Sequence, residues 1–176
     1  QRATLEEIRR LLRVRVLIVI PREPYERYGH ADSIARFVDG GTVVVSRYKD
    51  RKHQDQLLGV LRDHGLRCVE IPYLPHKAKR GHGQSAVGVY VTFLQTSRVL
   101  LVPKFGLRQD KAVADQLWEL FPVPVEQVTC RELAEDGGVL NCVSWNVVKW
   151  YCCAYWCLVS GRFTPSTVKS YTCWKK

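Results

Sequence analysis

The sequence of 176 residues contains no methionine and begins with Gln1. Because translation starts at methionine, we expect a processed product or a piece of a longer protein. The longest apolar run in the first half, residues 16–21, is far shorter than the about 20 residues of a membrane-spanning helix. No apolar leader with a small-residue cleavage site opens the chain. The sequence therefore predicts neither a membrane span nor a signal peptide, and we expect a cytoplasmic protein.

The chain also lacks any Cys-x-x-Cys pair, although it has seven cysteines. They are Cys68, Cys130, Cys142, Cys152, Cys153, Cys157 and Cys173. An odd number at irregular spacing, without a secretory signal, argues against a disulfide framework. The last four cysteines leave zinc ligation open as an alternative, but zinc sites rarely use this spacing. We therefore predict no metal site.

Acidic residues are scarce beside basic ones: 17 Asp and Glu stand against 27 Lys and Arg, for a net charge of +10. Such an excess weakly indicates a nucleic acid or a membrane surface as partner. Half of it lies in residues 149–176, which carry five basic residues and no acidic one. The rest is spread over mixed-sign segments typical of a solvated surface. With 46% hydrophobic residues, the composition is globular and excludes a disordered chain.

Two stretches of the chain, residues 33–71 and 87–128, each predict the order strand, strand, helix, strand. The first has strands at 33–38, 42–47 and 66–71 and a helix at 50–64. The second has strands at 87–95, 98–102 and 123–128 and a helix at 109–121. They superimpose without a gap at an offset of 56 residues, which places Leu57 on Val113 and Leu61 on Leu117. Two unrelated stretches would match in this way only by chance.

Repeated units of this kind bury their apolar faces against neighbours, in an array or a closed ring. Residues 4–20 predict a helix and a strand, as the end of a preceding unit would. Residues 139–148 predict the first strand of a following unit. The sequence therefore predicts a slice of a longer array.

Three polar residues are candidates for chemistry. In a strand, His30 and Asp32 would point to the same side, and a His beside a carboxylate suits general acid–base catalysis. Cys142 follows the pair Gly137-Gly138, which allows a close backbone approach. It would act as a nucleophile if a neighbouring cation stabilised its thiolate. The residue types alone leave open a structural His–Asp pair and a buried, inert cysteine.

Four segments carry motifs in a fixed order: residues 29–38 (GHADSIARFV), 90–94 (YVTFL), 102–106 (VPKFG) and 137–146 (GGVLNCVSWN). They resemble the GH-x-D-x-x-x-R-F-V, Y-x-N-F-L, P-x-F-G and G-G-x-x-H-C-I-T motifs of the agmatine deiminase and bacterial-type peptidylarginine deiminase family. Thr92 stands where that family usually has Asn, and Asn141 where it usually has His. The resemblance extends over about residues 5–148.

The resemblance implies the pentein fold, an α/β propeller in which five strand-strand-helix-strand units form a ring with pseudo-fivefold symmetry. The chain would be an incomplete slice of that ring. Residues 1–148 would be the C-terminal portion of the deiminase domain, and residues 149–176 a basic tail rich in Cys and Trp. For the tail, a ring-closing strand, a partner-binding patch and sequence foreign to the family all stay open.

The family's chemistry assigns roles to residues at matching positions. Cys142 would attack the guanidinium carbon of agmatine or of a peptidyl-arginine, and Asp32 would hold the guanidinium nitrogens. His30 would protonate the leaving amine and then activate the water that hydrolyses the thiouronium adduct, releasing ammonia. Gly138 and Asn141 would line the substrate site. The resemblance implies no metal and no organic cofactor.

One expected element of the family's site has no counterpart in this sequence. The second guanidinium-binding carboxylate lies in the family's N-terminal half, so we expect residues 1–176 alone not to deiminate. The missing N-terminal half, or a partner chain, would complete the site. The alternative is a non-catalytic pentein-fold subunit of a larger assembly containing RNA, which the charge of +10 favours. A basic protein also repels a cationic substrate at long range.

Overall fold

A computed structural model describes residues 2–24, 29–74, 85–144 and 156–158. Four helices and eight strands are described in these ranges. They are α1 (Arg2–Leu12), β1 (Val16–Ile18), β2 (Ala35–Phe37), β3 (Thr42–Arg47), α2 (Arg51–Asp63), β4 (Arg67–Pro72), β5 (Leu94–Gln95), β6 (Leu100–Lys104), α3 (Asp110–Trp118), β7 (Val125–Thr129), α4 (Arg131–Glu135) and β8 (Trp156–Leu158). Two short 3₁₀ helices, Ala31–Ser33 and Tyr90–Thr92, precede β2 and β5.

The first strand-strand-helix-strand unit forms the sheet β2-β3-β4. Strand β2 runs antiparallel to β3, and β3 runs parallel to β4. The Asp39 carboxylate closes the hairpin by accepting hydrogen bonds from the amides of Gly41 and Thr42, both at 2.7 Å. Asp50 caps α2 by accepting from the amide of His53 at 3.1 Å. Short polar side chains therefore fix both ends of β3.

The second unit repeats this arrangement in the sheet β5-β6-β7. Its strands β6 and β7 have the register of β3 and β4, since each residue faces one 25 positions further along the chain. The helices α2 and α3 bury equivalent side chains at the offset of 56: Leu57 with Val113, and Leu61 with Leu117. Each helix therefore packs on its sheet through the same apolar stripe.

The connection from strand to helix differs between the units. In the second unit the buried carboxylate of Asp110 accepts hydrogen bonds from three backbone amides: Phe105 at 3.3 Å, Gly106 at 2.8 Å and Leu107 at 3.0 Å. It also accepts from the hydroxyl of Tyr90 at 2.6 Å. Four donors around one buried carboxylate satisfy both of its oxygens and fix the loop.

In the first unit the equivalent position holds Gln54, which is also buried. Its side-chain carbonyl accepts from the amide of Tyr48 at 3.0 Å, and its side-chain amide donates to Glu70 at 2.9 Å. A neutral amide with one loop contact thus stands where the second unit has a carboxylate with three.

The two units meet where the chain leaves β4. Tyr73 pairs with Val89 in an isolated antiparallel bridge, and the Leu74 amide donates to the Gly88 carbonyl at 3.2 Å. Gly88 has a φ of 87°. A side-chain carbon there would overlap the carbonyl oxygen of Leu74 and lie 2.9 Å from its carbonyl carbon. Only glycine fits this junction without displacing backbone.

One continuous hydrophobic core extends through both units. Its largest fully buried side chains include Tyr90, Phe93 and Phe105 of the second unit. A smaller cluster of Leu12 and Val14 lies under α1. Strand β1 pairs in parallel with β8, which belongs to the stretch predicted as a tail. None of the helices in the described ranges is long and apolar enough to cross a membrane.

Two predicted strands are partly wrong. Ser33, the first residue of the strand predicted over residues 33–38, and residues 90–92 of the strand predicted over residues 87–95 lie in 3₁₀ turns. In the first turn, the amide of Ser33 donates to the His30 carbonyl at 3.3 Å, and the Ser33 hydroxyl lies 2.7 Å from the same oxygen. In the second, the Thr92 hydroxyl donates to the Val89 carbonyl at 2.5 Å. These local hydrogen bonds compete with strand pairing.

The strand predicted over residues 139–148 is also wrong as far as residue 144. The amides of Cys142 and Val143 both donate to the carbonyl of Val139, at 2.9 and 3.3 Å, which forms a turn. Residues 145–148 lie outside the described residues. So does the tail of residues 149–176, except for the backbone of β8.

Candidate active site

The first 3₁₀ helix presents Asp32 at the opening of the first unit. His30 lies immediately before this helix in extended backbone, with φ −75° and ψ 106°. His30 is exposed, whereas Asp32 is half-buried. The strand assumed for His30 and Asp32 is therefore wrong, because a 3₁₀ helix begins after His30.

The second part of the site is the turn that carries Cys142. Gly137, with a φ of 91°, lets the chain reverse after α4. A side-chain carbon at Gly138 would lie 3.6 Å from Cβ of Cys142. The buried Val139 anchors the turn in the core and accepts the two amides that close it. Gly138 thus keeps one side of the cysteine free of side chains.

Asn141 joins the two parts. Its side-chain amide donates to a carboxylate oxygen of Asp32 at 2.7 Å, across 109 positions of sequence. Its backbone amide donates to the carbonyl of Thr92 at 3.2 Å, in the second 3₁₀ helix. The structure therefore brings Asp32 and the Cys142 turn together. Gly138 lies in the same turn, and His30 lies beside Asp32 in the chain.

The pKa of the Cys142 thiol lies above its ordinary value. Loss of solvent around the thiol is the largest cause, although the residue as a whole is exposed. The negative charge of Asp32 raises the pKa further, while the backbone of Val139 and the positive charge of Arg36 act against these effects. At neutral pH the sulfur is therefore a thiol in this structure.

Arg36 acts electrostatically on the candidate site and is not among the residues that the sequence predicts for it. Its guanidinium carbon lies 5.3 Å from the centre of the Phe93 ring. Its charge reaches the Cys142 sulfur, whose pKa it lowers. The signal was present in the sequence, since Arg36 is the arginine of the motif at residues 29–38.

No group of three or more His, Cys, Asp or Glu side chains comes together for a metal ion within residues 2–24, 29–74 and 85–144. The four cysteines considered for zinc, Cys152, Cys153, Cys157 and Cys173, lie beyond the side chains that the structure describes.

Comparison with known proteins places this geometry in a family. The model of the Porphyromonas-type peptidyl-arginine deiminases matches residues 1–147. The chain belongs to that family. This finding confirms the resemblance that the four motifs predicted.

Relatives of this peptidyl-arginine deiminase family member include bacterial proteins and solved structures. A candidate agmatine deiminase from Streptococcus mutans is 27% identical over 150 residues, covering 69% of this chain and 40% of the relative. One from Streptomyces coelicolor is 30% identical over 135 residues, covering 68% and 40%. The agmatine deiminase of C. jejuni superimposes with a TM-score of 0.66 at 19% identity, over 81% of this chain and 45% of that one.

These structural matches confirm the predicted fold class. The agmatine deiminase of Enterococcus faecalis superimposes with a TM-score of 0.58 at 20% identity, over 68% of this chain and 40% of that one. The family member described here is therefore an α/β protein of the pentein fold. The chain spans about 40% of the length of the curated relatives it matches.

Proposed function

We propose that this chain supplies the nucleophile and one guanidinium-binding carboxylate of a deiminase, a hydrolase of C–N bonds in guanidinium compounds. The hydrogen bond between Asn141 and Asp32 is the observation that carries the proposal. It keeps a carboxylate beside the turn of an exposed cysteine, as an attack on a bound cation requires. Membership of the deiminase family supports the reaction class.

In the proposed reaction Asp32 holds two guanidinium nitrogens by charge-assisted hydrogen bonds. His30 takes the proton of the Cys142 thiol, the sulfur forms a bond to the guanidinium carbon, and the electron pair of one C–N bond moves onto nitrogen. His30 gives that nitrogen a proton, and ammonia leaves. His30 then takes a proton from water, whose oxygen bonds to the same carbon as the C–S bond breaks. A ureido product and the free cysteine remain.

Because the pKa of the Cys142 thiol is raised, binding of the substrate helps to activate the sulfur. Asp32 contributes to keeping the sulfur protonated. A bound guanidinium neutralises Asp32 and adds a positive charge near the sulfur, so it lowers the pKa of the thiol. Cys142 therefore becomes a thiolate mainly when a cation occupies the site. Asn141 serves by orienting Asp32, and Gly138 by leaving room beside the sulfur.

The substrate class is a guanidinium compound, either agmatine or a peptidyl-arginine. Residues 1–148 form the deiminase portion in this proposal, and residues 149–176 form a tail. A second carboxylate comes from the rest of the protein or from a partner chain. An assembly with RNA stays a prediction, because nothing in the described residues bears on it.

An amidine probe tests the proposed site. Chloroacetamidine carries the cationic group of a guanidinium, whereas chloroacetamide is neutral and similar in shape. For each probe, the alkylation rate of Cys142 is divided by that of Cys68. We expect this ratio to be about tenfold higher for the cationic probe than for the neutral one, because the electrostatic attraction of one carboxylate is of that size. Peptide mass spectrometry identifies the modified cysteine.

The Asp32→Asn variant is the matched control for this experiment. It keeps the size of the side chain and should remove the preference for the cationic probe at Cys142. Equal preference in the two proteins, or equal modification of Cys68 and Cys142, would refute the proposed role of Asp32.

A further inference from the structure

Glu23 is a buried acidic residue that the proposed reaction does not use. It lies in the segment between β1 and the first 3₁₀ helix, and only 3% of its surface is exposed. A carboxylate is costly to bury unless its oxygens are hydrogen-bonded. Its position seven residues before His30 brings it close to the candidate site in the chain.

The two oxygens of Glu23 bind different parts of the first unit. One accepts a hydrogen bond from the Ser33 hydroxyl at 2.8 Å. The other accepts from the Tyr73 hydroxyl, which follows β4. Glu23 therefore ties the last residue of the 3₁₀ helix to the residue that follows β4, the opposite edge strand of the sheet.

Ser33 is held from a second side as well. The hydroxyl of Ser46, on β3, donates to the Ser33 carbonyl at 2.8 Å. The Ser33 hydroxyl also lies 2.7 Å from the His30 carbonyl. Residues 30–33 are thus fixed between Glu23 and β3. A single 3₁₀ turn has weak internal hydrogen bonds, so its geometry depends on such outside contacts.

Aromatic rings shield this arrangement from water. The Tyr48 ring packs 4.6 Å from the ring of Tyr73 and 4.7 Å from that of His53. Burial raises the pKa of Tyr48 far above its usual range, and the negative charge of Glu23 adds to the effect. In such surroundings hydrogen bonds to a carboxylate are stronger than in water.

We propose that Glu23 is a positioning residue that acts through Ser33 to hold Asp32 where it can bind a guanidinium cation. Asp32 is the neighbour of Ser33 in the same turn, so rotation of that turn moves the carboxylate. The Asn141 amide orients Asp32 from the opposite side. This role rests on the proposed function, because it concerns the substrate-binding carboxylate of that reaction. A misplacement of about 1 Å in such a site lowers rates by up to about 100-fold.

Two variants of Glu23 test the role. Glu23→Leu keeps the volume and removes both acceptors, whereas Glu23→Gln keeps one acceptor. The readout is the ratio of Cys142 alkylation rates with chloroacetamidine and chloroacetamide. We expect Glu23→Leu to lower this ratio about tenfold and Glu23→Gln to lower it about threefold. The rate with the neutral probe should stay within about twofold of the parent rate.

Two further variants separate positioning from charge and from stability. Glu126→Gln removes a negative charge at an exposed position of β7, and Leu61→Val weakens the core in α2. Both should leave the ratio unchanged. If Leu61→Val lowers the ratio as Glu23→Leu does, or if Glu23→Leu leaves it unchanged, the proposal is overturned.

Hydrogen exchange distinguishes this proposal from the proposed function. The amides of Ser33 and Ile34 close the 3₁₀ turn on the carbonyls of His30 and Ala31. We expect Glu23→Leu to speed their exchange at least about tenfold more than that of amides in β7. If the parent protein shows no preference for the cationic probe, the proposed function fails. Exchange then decides on Glu23 alone: faster exchange supports its hold on the turn, and unchanged exchange refutes it.

Discussion

The two strand-strand-helix-strand units carry their buried acidic groups in different places. In the second unit Asp110 lies within the repeat and binds three amides of its own loop. In the first unit the same repeat position has the neutral Gln54, and the buried acid is Glu23, which lies before the unit begins. The polar contacts described for Asp110 stay within its own unit and the 3₁₀ helix before it, whereas Glu23 binds the turn that carries Asp32.

The two units therefore share one architecture but have different roles. The second unit supplies a firm support, because its 3₁₀ helix is tied to Asp110 through Tyr90 and receives Asn141 on the Thr92 carbonyl. The first unit supplies a half-buried carboxylate that faces that support. Stability should therefore depend mainly on the second unit and its junction, and binding of a cation mainly on the first.

The largest effect is expected where the units join. Gly88→Ala forces a side-chain carbon into the carbonyl of Leu74 at a φ that disfavours it, so we expect a loss of about 4 kcal/mol or more in the free energy of unfolding. Urea denaturation followed by tryptophan fluorescence measures it. Gly40→Ala is the control, because nothing lies within 4 Å of its added carbon, and it should cost less than about 1 kcal/mol. Similar midpoints for the two variants would contradict the described junction.

The next largest loss of stability is expected at the equivalent positions Asp110 and Gln54, whose side chains bind the loops before α3 and α2. Asp110→Ala leaves three backbone amides and a buried tyrosine hydroxyl without their acceptor, so we expect a loss of about 3–5 kcal/mol. Gln54→Ala removes one loop contact and should cost about 1–2 kcal/mol. Asp115→Ala, which removes an exposed pair with Lys111, should cost less than about 0.5 kcal/mol. An equal loss of unfolding free energy in Gln54→Ala and Asp110→Ala would contradict the difference between the units.

The smallest effect is a pH dependence confined to the first unit. Burial lowers the pKa of His53, while the charge of Asp50 opposes the shift. The unfolded chain therefore binds a proton near pH 6.5 that the folded chain binds only at lower pH, so stability is lost as pH falls below 6.5. His53→Gln places the residue found at the equivalent position of the second unit, Gln109, in the first.

Urea midpoints at pH 8 and pH 5 check this prediction. The parent should lose more stability between these values than His53→Gln does, by at most about 1.4 kcal/mol per pH unit for one proton. The difference between parent and variant at pH 8 reports packing alone. A parallel pH dependence in the two proteins would show that His53 does not contribute.

The sequence predicted the frame of the fold better than its turns. Helix α2 was expected over residues 50–64 and is Arg51–Asp63, because Leu57 and Leu61 recur at helical spacing on a buried face. The 3₁₀ turn at residues 90–92 lies within a predicted strand, because β-branched residues such as Val89 and Val91 favour a strand in the sequence pattern. The amide of Ser33 and the hydroxyl of Thr92, which close the turns, carry no periodic signal.

The sequence motifs predict the residues of the candidate site, but they do not predict how these residues are arranged in space. His30, Asp32 and Cys142 lie in segments whose residue order is distinctive. The contact between Asn141 and Asp32 depends on how the units pack, which no local pattern reveals. The sequence pattern does not predict the burial of Glu23 for the same reason, since a lone acidic residue in a loop is typical of a solvated surface.

The hydrogen bond from Asn141 to Asp32 also has a consequence for the order of folding. A contact that closes 109 positions of chain forms late, after the local contacts within each unit. A nascent or partly refolded chain therefore contains Cys142 before the contact between Asn141 and Asp32 has formed the site. In that interval the sulfur reacts as an ordinary thiol, indifferent to the charge of the electrophile. The preference for a cation therefore reports the last step of folding, and it should appear only after the helix content has reached its final value.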